Sequence, residues 1–104
     1  MKRKAFIMHL HRGAEAEYKR RHDAIWPELA AEIRRAGISG YSIFLDPKTN
    51  TLFAYQVLAD GAEDGELASK EIVKKWWHMM KDIMDTNADE SPVSEDLREV
   101  FHMD

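Results

Sequence analysis

The chain has 104 residues, 44% of them apolar, and a net charge of −4 with histidines neutral. That length suits one small domain over residues 1–104, with too many apolar residues for a wholly disordered chain. The absence of cysteine excludes disulfides, thiolate metal sites and a cysteine nucleophile, and the acidic balance argues against nucleic acid, which needs a basic stripe.

The N-terminus is basic and then apolar, but His9 and His11 break the apolar run too soon for a signal peptide. No stretch approaches the ~20 apolar residues of a membrane span. A cytoplasmic protein without membrane attachment is expected. Residues 4–10 alternate as a strand, with Phe6, Met8 and Leu10 on one side and Ala5, Ile7, His9 and His11 on the other. Residues 14–24 read as a helix, with Glu15 and Glu17 near its positive end and Arg20 and Arg21 near its negative end. Its basic cluster, Lys19 to Arg21, reads as a solvated face. Pro27 disfavours a helical Trp26 but suits the first turn of a new helix. A broken pair of helices is therefore expected, the second running from Pro27 to about Ala36, where Gly37 caps it.

Residues 38–46 and 51–58 form two strands around a turn at Asp46 to Asn50. Residues 60–65 read as a loop leading into a short helical turn. Residues 70–84 form a helix with a wide apolar arc that includes Ile72, Val73, Trp76, Trp77, Met80, Ile83 and Met84. A last strand is expected near residues 97–103. The order is that of a ferredoxin-like βαββαβ chain of the α+β class. Helices on one face of such a sheet leave the other, expected to carry Ile7, Tyr41 and Ile43, in need of cover. A homodimer would supply it.

Three constellations carry possible chemistry. Tyr18 and His22 stand four apart, on one helical face. The negative end of that helix favours an imidazolium and is expected to raise the His22 pKa, as a general acid requires. Arg20, Arg21 and burial push the other way. The bland alternative is an amphipathic pair tied to backbone. Trp76 and Trp77, with Tyr41, offer aromatic faces and polar edges that suit a sugar, or else pack the core. His9 and His11, at i and i+2, could begin a metal site, with His102 as third ligand. Ligand count and geometry are not met by the sequence, so no metal is assigned.

The segment from Glu17 to Leu29, Tyr41 to Ile43 with Leu45 and Asp46, Trp76-Trp77 followed by Met80, Asp82 and Met84, and Ser91 to Val93 leading to Val100-Phe101 are together distinctive. Over almost its whole length the chain resembles the L-rhamnose mutarotase family. The resemblance implies a dimeric α+β barrel of ferredoxin-like subunits that interconverts the α and β anomers of L-rhamnose without a metal or organic cofactor. It implies His22 as proton donor and Tyr18, Tyr41, Trp76 and Trp77 as sugar-binding residues. Two other readings compete: a cofactor-free oxygenase on the same barrel, since fold alone does not fix function, and a non-catalytic sugar-binding module.

Overall fold

A computed structural model describes residues 1–62 and 64–104; Glu63, within the loop expected over 60–65, lies outside them. The chain runs β1 (Lys2–His9), α1 (Glu15–Asp23), α2 (Pro27–Arg35), β2 (Ile38–Asp46), β3 (Thr51–Leu58), a 3-10 turn (Gly65–Ser69), α3 (Glu71–Met80) and β4 (Ser94–Leu97). The strands lie in the order β2-β3-β1-β4, every pairing antiparallel. Strands connected through a helix, β1 with β2 and β3 with β4, are thus separated by one intervening strand. That is the split βαβ arrangement of an α+β fold.

The break between the first two helices falls where proline chemistry puts it. Trp26 is extended (φ −63°, ψ 130°) and Pro27 opens α2. Gly37 follows α2 with φ +86°, its N–H donating to the Arg34 carbonyl at 2.9 Å. A Cβ there would stand 2.7 Å from the Ala62 Cβ, so both backbone and space demand glycine. In the hairpin turn the Lys48 N–H donates to Asp46 Oδ1 at 3.0 Å. Asn50, at φ 56°, donates to the Leu10 and His11 carbonyls, which ties the turn to the end of β1.

Alternation sorts β1 and β3 into two faces. Met8 stands opposite Leu52 and Phe6 opposite Ala54, facing the helices. Met8, Leu52 and Ala54 join Tyr18, Leu29, Val73, Trp76 and Met80 in the core. Ile7 stands opposite Phe53 and Ala5 opposite Tyr55 on the other side, where no helix lies.

β2 departs from simple alternation. Ser39 pairs with Val57 and Ser42 with Tyr55, so three steps on β2 match two on β3. The bulge holds Gly40 at φ 54°. It inverts the parity of the strand, so that Ile38 before it and Ile43 and Leu45 after it pack on the helix side. Tyr41 goes with them. The expectation that Tyr41 and Ile43 lie on the uncovered face is therefore wrong; that face carries Ile7, Phe44, Phe53 and Tyr55 instead.

Two element boundaries also differ from expectation. α3 ends at Met80, not near residue 84, because the Ile83 carbonyl accepts the His11 N–H at 2.8 Å and Met84 bridges to Leu10. The last strand spans Ser94–Leu97, earlier than the apolar residues Phe101 and Met103 suggest. All four of its residues are exposed, so pairing with β1 sets its position and side-chain burial does not. Among the described residues no helix is long and apolar enough to cross a membrane.

Candidate active site

The helix α1 presents Tyr18 and His22 one turn apart towards the sheet. Their rings stack, with centroids 4.2 Å apart and planes inclined by 25°. Trp76 of α3 meets His22 edge-to-face at 5.3 Å and 89°, and Trp26 meets Trp76 in the same way at 5.1 Å and 88°. Aromatic packing thus fixes the imidazole plane. Nδ1 of His22 stands 3.2 Å from the Tyr18 carbonyl oxygen. A carbonyl can only accept, so Nδ1 carries the hydrogen and Nε2 is left for chemistry.

Burial pushes the His22 pKa below its ordinary 6.5; the Tyr18 carbonyl and then Asp23 oppose it less strongly. The sequence-based expectation of a raised value is overturned. The helix end at Asp23 and Ala24 is exposed, but the His22 ring packs inward against Tyr18 and Trp76, where desolvation of the imidazolium outweighs the helix dipole. His22 is neutral at rest near pH 7.

Two phenols complete the group. Burial raises the Tyr18 pKa, and the nearby Tyr41 phenol adds to the shift. The Tyr41 value is also raised by burial, against a lowering from the Gln56 amide. Tyr41 leaves 39% of its surface open, but its hydroxyl end is enclosed. Both phenols keep their protons and so retain an O–H that a bound molecule could accept from. The bulge in β2 is what turns Tyr41 towards Tyr18.

These side chains line a cavity of about 750 Å³ that also includes Trp77 and Gln56, with Met8, Ile25, Leu29 and Met80 as apolar wall. Tyr18, His22, Tyr41, Trp76 and Trp77 are all brought to this one cavity. Trp76 is core and cavity wall at once, 8% exposed, so the two readings of it are not exclusive. Gln56 was missed by motif reasoning. Its signal was a polar residue between Ala54 and Leu58, at the inward parity of β3. Glu90 at the cavity wall, paired with His78 and Lys81, gave no signal, since it lies in an irregular stretch.

Arg21 is not part of a solvated face. Its side chain is 15% exposed and donates to Glu17 Oε2 at 2.6 Å, the Met79 carbonyl at 2.7 Å and Asp82 Oδ1 at 2.8 Å. It braces α1 against the end of α3, and its guanidinium helps Arg20 hold the Glu17 pKa down to about 2. The remaining histidines pair locally: His9 with Glu95, His11 with Asp85 and His102 with Asp104. Among the described residues no group of three potential ligands gathers around a metal-sized space.

An α+β fold that sets one neutral imidazole and two phenols against an indole wall defines an acid–base catalyst for a small hydroxylated molecule. Comparison with known proteins narrows that class. The family model for L-rhamnose mutarotase matches residues 3–103, and the chain belongs to this isomerase family. It is 55% identical to the L-rhamnose mutarotase of Bacteroides thetaiotaomicron and 51% identical to that of Oceanobacillus iheyensis, covering 100% of both chains in each case. The crystal structure of L-rhamnose mutarotase from Formosa agariphila superposes with a TM-score of 0.93 at 52% identity, again over 100% of each chain.

Proposed function

We infer that this chain interconverts the α and β anomers of L-rhamnose by opening and reclosing the sugar ring. The observation that supports the chemistry best is His22, neutral, fixed by aromatic rings and with Nε2 free towards the cavity. In this reading Nε2 takes the proton of the anomeric hydroxyl. The C1–O5 bond breaks as the C1–O1 bond becomes a carbonyl, and the imidazolium returns the proton to O5. Both oxygens are bonded to C1, so one Nε2 reaches each in turn. Rotation about C1–C2 then presents the other aldehyde face, and the same steps reversed close the ring. The donor role of His22 is the second half of this exchange.

The Tyr18 and Tyr41 phenols hold sugar hydroxyls, and Trp76 and Trp77 pack on the C–H face of the ring. The apolar wall of Met8, Leu29 and Met80 suits the methyl carbon of L-rhamnose.

The active unit in this reading is a homodimer closing into an α+β barrel. The uncovered sheet face supports it, since Phe44, Phe53 and Tyr55 are 67%, 40% and 37% exposed there. An apolar sheet face of that kind calls for a partner, and a second copy is self-complementary.

Saturation-transfer NMR on L-rhamnose tests the activity. Anomer exchange is expected to accelerate with the wild-type protein and to return close to the uncatalysed rate with His22→Ala. No acceleration by the wild type would overturn the reading.

A further inference from the structure

The amide of Gln56 is only half employed: it bonds the Tyr41 hydroxyl through one end and leaves the other without a partner among the described residues. It lies on β3 at the inward parity, opposite Lys4 of β1, and is only 6% exposed. Its Oε1 is buried without a hydrogen-bond partner among the described residues. The residue lines the same cavity as His22, beside the Tyr41 hydroxyl. An unpaired amide oxygen in the interior is costly, and its neighbours Ala54 and Leu58 show that the position accepts apolar side chains. A group retained at such a cost is explained by a partner that arrives from outside.

We propose that Gln56 is a specificity-determining residue that hydrogen-bonds one sugar hydroxyl at the floor of the cavity, next to Tyr41. The terminal amide turns about a soft torsion, so it presents either oxygen or N–H to that hydroxyl. Together with the Tyr41 phenol it makes a polar corner on the β2–β3 side of the cavity, apart from His22 on α1 and next to a wall that includes Met8, Leu29, Ile43 and Met80. A sugar that places a hydroxyl in that corner is favoured; one that places a C–H or methyl group there leaves the amide unpaired and is rejected. The inference deepens the reading of the cavity as a sugar site and rests on it.

Binding and anomer exchange are measured separately, on wild type and on the shape-preserving variant Gln56→Met. Binding is followed by indole fluorescence with L-rhamnose and with its 2-, 3- and 4-deoxy derivatives. The variant is expected to bind L-rhamnose about 3- to 10-fold more weakly. One deoxy sugar is expected to bind wild type and variant alike, while the other two show the full loss. Without sugar, the variant is expected to unfold at a higher temperature, because an unpaired buried group has gone. A lower unfolding temperature with equal losses for every sugar would make Gln56 structural and overturn the proposal, as would unchanged L-rhamnose binding. Wild type that binds no L-rhamnose would overturn it too. Sugar binding that depends on Gln56 without accelerated exchange would instead support the proposal and sink the mutarotase reading. Accelerated exchange with binding indifferent to Gln56 would do the reverse.

Discussion

The two faces of the sheet are built from the same kinds of residue and do opposite things. The helix-covered face buries Met8, Leu52 and Ala54 and leaves a cavity where α1, α3 and β2 fail to close. Its aromatic rings are locked to one another at 4.2–5.3 Å, and its polar groups lie in a dry setting that shifts the His22 and Tyr18 pKa values. The open face carries aromatic rings as well, but on it Phe44 is 67% exposed and no described element covers it. Hydrophobicity is common to both faces. Desolvation separates them: a titratable group becomes useful only where water is excluded from one side and a substrate can enter from another.

The sharpest way to break this contrast is to empty the covered face of its titratable group. His22→Ala is expected to slow anomer exchange at least about 100-fold, with L-rhamnose binding largely retained. Saturation transfer reads the first quantity and indole fluorescence the second. Equal loss of both would make His22 a packing residue.

The open face is tested by charging it. In the proposed homodimer, Phe44→Asp is expected to weaken self-association by about 2 kcal/mol or more, roughly 30-fold, because a carboxylate would be buried there without a partner. Sedimentation across a concentration series measures the shift from dimer to monomer. An unchanged dimer would assign the interface to another surface.

Gly40 joins the faces, since its bulge decides which one receives Tyr41. Gly40→Val puts a β-branched residue at φ 54° and is expected to cost about 1–2 kcal/mol. The strand can relieve that strain by losing the bulge, which would return Tyr41 to the open side. Sugar affinity should then fall along with the unfolding temperature, and a variant that loses stability but binds normally would show that the bulge survives.

The smallest effect is in pH. In the proposed mechanism neutral His22 is the active form, so kcat/KM is expected to fall as pH drops through a value below 6.5. Above 6.5 the change is under about twofold, and the profile stays level into the alkaline range because both phenols retain their protons. Folding follows the same sign. With the folded-state pKa depressed, the unfolded chain binds more protons below 6.5, so the His22 contribution is present above that pH and lost as pH falls. A rate that instead rises on acidification would mean that the imidazolium is the resting form.

Much of the architecture was legible because it rests on local chemistry. Pro27 breaks the helix through its missing N–H and its clash with Trp26, whatever packs around it. The hairpin between β2 and β3 matches its expected span, since Asp46 orders the turn locally by accepting from the Lys48 N–H and the Thr49 hydroxyl. The end of α3 and the position of β4 were not legible, because partners distant in sequence claim those backbone groups: His11 and Leu10 for one, β1 for the other.

The site divides in the same way. Residue type and spacing, read through a family resemblance, were enough to single out Tyr18, His22, Tyr41, Trp76 and Trp77. Tertiary structure alone decided that they share a cavity, that Tyr41 reaches it through a bulge, and that Gln56 stands unpaired beside it. It also reversed the direction of the His22 shift. A helix dipole belongs to the local chain and can be read from sequence, whereas desolvation depends on how many groups from elsewhere exclude water, which only the packed fold determines.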